Sequence, residues 1–91
     1  MDKINKKIVV TIYTRKGCGL CEEAKEKVLC ASREFPIQLE VVDIAQDPLL
    51  VLEYDLYIPV VFIDGEKAFV SRMDEKWLYR ELEIRSRKQV E

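Results

Sequence analysis

Apolar residues in this chain come in short blocks, and their spacing changes from block to block. Ile8-Val9-Val10-Thr11-Ile12-Tyr13 is β-branched and apolar, entered from Lys7 and left through a turn containing Gly17. Such a run predicts a buried strand. From Gly19 or Cys21 to about Glu34 the residues are helix formers, and Cys21, Ala24, Val28, Ala31 and Phe35 share one stripe at helical spacing. The stripe's small residues suit close approach to a sheet, and Phe35-Pro36 ends the helix. Pro36 to Asp43 predicts a second strand. Asp47-Pro48 supplies an N-cap and a proline at the first helical position, so a short second helix follows through Glu53 and ends near Asp55. Val60–Ile63 predicts a third strand, Asp64-Gly65 a two-residue primed turn, and Lys67–Val70 an antiparallel return. Asp74, or alternatively Ser71, caps a last helix. Its expected buried positions are Trp77, Leu78, Leu82 and Ile84, and Glu81–Arg85 and Glu83–Arg87 are i,i+4 ion pairs.

The order is therefore β-α-β-α-β-β-α. A helix between the first two strands permits a parallel, right-handed crossover. The expected fold is α/β: a four-stranded mixed sheet with the first and third helices on one face and the second on the other.

Composition narrows the function classes. At 91 residues the chain suits a single domain, 1–91, and it has no repeat or linker. A net charge of −2 argues against nucleic acid as a partner. No apolar run approaches the ~20 residues of a membrane span. The first seven residues lack the apolar region of a secretory signal, so a cytoplasmic protein is expected, and a monomer is expected as well. Lys3, Lys6 and Lys7 read as a solvated arm rather than a phosphate-binding patch. Three cysteines do not make a disulfide-stapled scaffold. The absence of His removes the commonest metal ligand and general base. A zinc site needs about four ligands, and Cys18, Cys21 and a distant Cys30 do not supply them within one chain.

The remaining chemistry lies in Thr14-Arg15-Lys16-Gly17-Cys18-Gly19-Leu20-Cys21. Cys18 stands where a strand ends and a helix begins. Free backbone N–H groups and the helix dipole there favour a thiolate, the reactive form of cysteine. Arg15 and Lys16 add positive charge. Cys21, one turn inside the helix on its apolar stripe, is expected to be more buried and less easily ionised. The two thiols are close enough in sequence to form a redox-active disulfide. Cys30 falls on the polar side of the helix, beside Glu23, Lys27 and Glu34, and reads as a bystander. Trp77 is explained by packing at least as well as by substrate stacking, and Tyr54 reads as core.

The strand–Cys-x-x-Cys–helix unit, with Pro59 before the third strand and a hairpin after it, resembles the thioredoxin fold in its short, glutaredoxin form. Tyr13 to Ala24, Val42-Asp43-Ile44, Tyr57-Ile58-Pro59-Val60 and Asp64-Gly65 resemble a group of small glutaredoxin-like proteins. The resemblance implies a thiol–disulfide oxidoreductase with Cys18 as nucleophile and Cys21 as resolving cysteine. It implies a cis bond before Pro59 and pairing of the Ile58 backbone with a substrate. It also implies a substrate-binding role for Arg15, three residues before the nucleophile, where it can meet a glutathione carboxylate. Lys16 and Tyr57 join that substrate-binding set. No cofactor is expected to bind tightly. The implied partners are a disulfide-bearing protein or small thiol, and glutathione or a flavin reductase as electron donor. The family's paired glycines before the last helix are missing from Phe69-Val70-Ser71-Arg72-Met73-Asp74. Arg72 and Met73 are expected to narrow the site, so glutathione should bind weakly. Two alternatives stay open: an iron–sulfur carrier built from two chains or with glutathione, and a binding module without exchange activity.

Overall fold

The first apolar run becomes a central strand, with fully buried residues on one face alternating with half-buried ones on the other. The computed structural model of the chain describes residues 7–90, with side chains to residue 87. The expectation for Lys3 and Lys6 lies outside the described residues; Lys7 is exposed. Strand β1 (Ile8–Thr14) pairs in parallel with β2 (Ile37–Asp43) and antiparallel with β3 (Val60–Ile63), which pairs antiparallel with β4 (Glu66–Val70). The sheet order is β2-β1-β3-β4.

Side chains alternate along each strand. Ile8, Val10 and Ile12, with Val61 and Ile63, form one apolar face, and helix α1 (Gly19–Ala31) and helix α3 (Glu75–Val90) close over it. Tyr13 and Phe62 point the other way and meet Tyr54 of α2 (Pro48–Tyr54). The expected split of helices between faces is what the structure has.

Turn chemistry follows the sequence closely. Asp64 and Gly65 take φ values of 50° and 83°, as a type I′ turn requires. The Asp64 carboxylate also accepts the Val9 N–H at 2.9 Å, tying the hairpin to the central strand. A bulge opposite Val61/Phe62 lets the consecutive residues Ala68 and Phe69 both pack against the core. Asp47 caps α2 by accepting the Leu49 N–H. Asp74, not Ser71, caps α3, accepting N–H groups of Lys76 and Trp77.

Three expectations need correction, and one element is additional. Helix α1 ends at Ala31 rather than near Glu34. Beyond it the chain tightens into i→i+3 bonds, Arg33 N–H to Cys30 and Glu34 N–H to Ala31. Strand β2 begins at Ile37; Pro36 contributes only its carbonyl, which accepts the Ile8 N–H at 2.8 Å. A 3-10 turn, Ile44–Gln46, buries Ile44 completely, an element the short apolar spacing did not disclose. Trp77 and Ile84 are 54% and 40% exposed, whereas Leu78 and Leu82 are fully buried. Leu78, Leu82 and Arg85 define the inner stripe, and Trp77 lies on the flank under the Arg80 guanidinium, 5.4 Å from its ring centroid. Arg85 bonds Glu66 at 2.6 Å and lies near Asp64 and Glu81, clamping α3 to the hairpin.

Candidate dithiol site

Three pieces of chain converge on the cysteine pair. The first is the turn after β1, where the Cys18 N–H donates to the Arg15 carbonyl at 3.2 Å. The turn needs φ of 82° at Gly17, a conformation in which glycine carries no side-chain penalty. The second is the start of α1. Cys18 is its N-cap residue, and its Sγ accepts the Cys21 N–H at 3.1 Å. The role usually filled by a Ser or Asp oxygen is filled here by a sulfur, which gains a donor suited to a thiolate. The third is the segment before β3. Val60 lies opposite Tyr13 in the sheet, so Ile58-Pro59 falls beside Thr14 at the mouth of the turn. The Ile58–Pro59 bond is cis.

Cys18 and Cys21 are within disulfide-bonding distance, with Cα atoms 5.2 Å apart. Their surroundings differ as expected from the helix stripe. Cys21 is 2% exposed and sits among the buried residues of α1, while Cys18 stays partly open to solvent. Cys30 is a free, exposed cysteine far along the helix and outside the site. Among the described residues, no group of three or more His, Cys, Asp or Glu is placed to hold a metal ion.

The other sequence-predicted residues divide. Tyr57, half exposed, precedes Ile58-Pro59 and lines a cavity with Tyr54 and Val70, while Lys16 is exposed beside the turn and lines a cavity with Cys21. Arg15 is there too, but its guanidinium is hydrogen-bonded to Asp55 at the end of α2. Tyr54, expected in the core, is half-buried instead; it stacks with Tyr13 at 4.9 Å on the α2 face. Burial, with the Glu53 charge and Tyr13 adding to it, pushes the Tyr54 phenol above its ordinary range.

Two further residues shape the site. Ser71, at φ 69°, donates its N–H to both the Tyr57 and Pro59 carbonyls, at 2.9 and 2.8 Å. It thereby holds the Pro59 segment against the end of β4. Met73 is turned into the core at 3% exposure, and its carbonyl accepts the Lys27 ammonium at 2.8 Å. The expected narrowing by Met73 is therefore not a protruding side chain; of the two residues, Arg72 stays exposed. An open groove of about 800 Å³ runs from Leu20 past Phe69 and Arg72 to Trp77. Asp55 was missed as a site residue. Its available signal was an acid at a helix C-terminus, where the dipole disfavours negative charge.

Comparison with known proteins agrees with this geometry. The glutaredoxin-like domain family (DUF836) matches residues 9–83. This chain belongs to that glutaredoxin-like family. A glutaredoxin-like protein of Dictyostelium discoideum is 35% identical over 91 residues, covering 93% of this chain and 84% of the relative. Among solved structures, a Nitrosomonas europaea protein superposes with a TM-score of 0.73 at 24% identity, covering 85% of this chain and 93% of that one. A protein from X. campestris gives 0.68 at 28%, covering 82% and 96%. A mutant thioredoxin of Halobacterium salinarum gives 0.61 at 21%, covering 88% and 75%. The fold is thus thioredoxin-like, and a glutaredoxin-like chain with a Cys18–Cys21 pair at disulfide distance has the elements of a redox role. No helix among the described residues is long and apolar enough to cross a membrane.

Proposed function

We propose that this chain is a dithiol–disulfide oxidoreductase. The observation that carries the reading is the N-cap sulfur: Cys18 Sγ accepts a helix N–H and is partly exposed, while its partner Cys21 is buried one turn away. In the reducing direction, the Cys18 thiolate attacks one sulfur of a substrate disulfide. The substrate S–S bond breaks, one thiolate leaves and takes a proton, and a mixed disulfide to Cys18 remains. Cys21 then loses its proton and attacks Cys18 Sγ, releasing the second substrate thiol. Two electrons have passed from the protein dithiol to the substrate. No His base is required, because the helix terminus favours the thiolate. The Ile58 backbone and the rim residues Arg15, Lys16 and Tyr57 would hold the substrate. A flavin reductase or two glutathione molecules would return the two electrons, with no cofactor bound tightly. The reading is of a monomer working in the cytoplasm on a protein or small-molecule disulfide.

Single cysteine variants test the roles. Cys18→Ser should lose disulfide reduction to background. Cys21→Ser should fail to complete turnover yet accumulate a mixed disulfide on Cys18, detected by mass spectrometry. Cys30→Ser should match the parent. In alkylation followed against pH, Cys18 should react at lower pH than Cys21. Reduction by the Cys18→Ser protein, or faster alkylation of Cys21 at neutral pH, would reverse the assignment.

A further inference from the structure

The cations around the cysteine pair are not equally available. Lys16 carries no ion pair among the described residues, Lys25 lies 3.7 Å from Glu22, and Arg15 is bonded to Asp55. Arg15 is the cation whose place is set by the nucleophile's own turn, since its carbonyl accepts the Cys18 N–H. Asp55 is set just as firmly from the other side. It is the C-cap residue of α2, its N–H donates to the Val51 carbonyl at 3.0 Å, and it stands three residues before Ile58. A carboxylate at a helix C-terminus is disfavoured by the dipole, so Asp55 does not serve α2. The pair bridges two rims of one site across 40 residues of sequence. Both side chains remain about two-fifths exposed, at 42% and 40%, so incoming molecules meet them. Beyond Lys16, the exposed neighbours in sequence are apolar: Leu56 is 84% exposed, Tyr57 52% and Leu20 40%.

We infer that Asp55 is a specificity-determining residue of the dithiol site: by occupying Arg15 it disfavours disulfides that carry carboxylates near their sulfurs. The favoured substrates are disulfides with neutral or apolar groups beside the sulfur. A carboxylate-bearing disulfide reaching Cys18 must displace an intramolecular carboxylate already in place, and it meets the Asp55 charge as it does so. This inference rests on the exchange reading above and concerns which disulfides that exchange accepts.

The test uses the full chain with its cysteines reduced, mixed anaerobically with oxidised glutathione or with bis(2-hydroxyethyl) disulfide. Each reaction consumes the protein dithiol and one probe disulfide and yields a protein disulfide and two small thiols. The quantity read is the ratio of the glutathione rate to the hydroxyethyl rate. Asp55→Asn should raise that ratio by about fivefold, the upper end for an exposed ion pair. The rise should vanish near 1 M salt, where screening shortens to ~3 Å, and in the Asp55→Asn/Arg15→Gln double variant. A ratio within about twofold of the parent in Asp55→Asn overturns the inference, as does a rise that persists without Arg15. When the parent reacts with the neutral probe but Asp55→Asn leaves the ratio unchanged, the selectivity alone is overturned. A parent that reacts with neither probe overturns the exchange reading and the selectivity with it.

Discussion

The two faces of the sheet are built to different standards. Beneath α1 and α3, Ile8, Val10, Ile12, Val61 and Ile63 meet Val28, Leu78 and Leu82, none more than 1% exposed. On the opposite face the seven-residue α2 buries no residue completely, and Tyr13, Tyr54 and Phe62 form a half-buried aromatic cluster. Leu49 and Leu52 of α2 are 74% and 84% exposed. The difference follows from helix length: 13 and 16 residues can cover a sheet face that seven cannot. The cysteine pair straddles this contrast. Cys21 hangs from the thick, dry face at 2% exposure. Cys18 and Pro59 belong to the seam with the thin face, and Asp55 reaches the site because α2 ends there.

That contrast can be broken by substitution. The largest expected effect is Leu82→Ala, which removes a fully buried side chain from the thick face and should cost about 2–5 kcal/mol in denaturant unfolding. Tyr54→Ala, on the thin face, should cost less, about 1–2 kcal/mol, because its ring contacts are half solvated and aromatic pairs add only about 0.5–1.5 kcal/mol beyond burial. Equal losses for the two variants would mean that both faces are close-packed. Leu52→Ala should fall within about 0.5 kcal/mol of the parent, as surface substitutions do. A larger loss, above 1 kcal/mol and dependent on protein concentration, would show that another chain covers α2 in solution.

How much of this was legible depended on whether the cause was local. Asp64-Gly65 announced its turn because two residues in succession needed positive φ. Val60–Ile63 was read with the bounds it has. The cysteine pair was legible from its place between a strand and a helix, and the Pro59 bond from family resemblance. Trp77 and Ile84 were not legible, because a helix with apolar residues on several sides does not say which side another element will cover. The bulge at Ala68 decides part of that, by presenting Ala68 and Phe69 together to the core beside α3. Ser71 was legible only as a possible cap, while its N–H in fact serves two carbonyls of the Pro59 segment.

The sequence by itself determined the order of helices and strands, the Asp64-Gly65 turn, the cap at Asp47, and the position of a cysteine at a helix start. Each of these depends on residues within one turn of each other, so local sterics and unpaired N–H groups suffice to specify them. Only the tertiary structure decided the partners of charged side chains that lie far apart in sequence, such as Arg15 with Asp55 and Arg85 with Glu66. Arg15 could have been a free cation beside Cys18 on every local ground. It is instead committed to Asp55, because the parallel crossover and the short α2 bring the end of that helix back to the turn after β1.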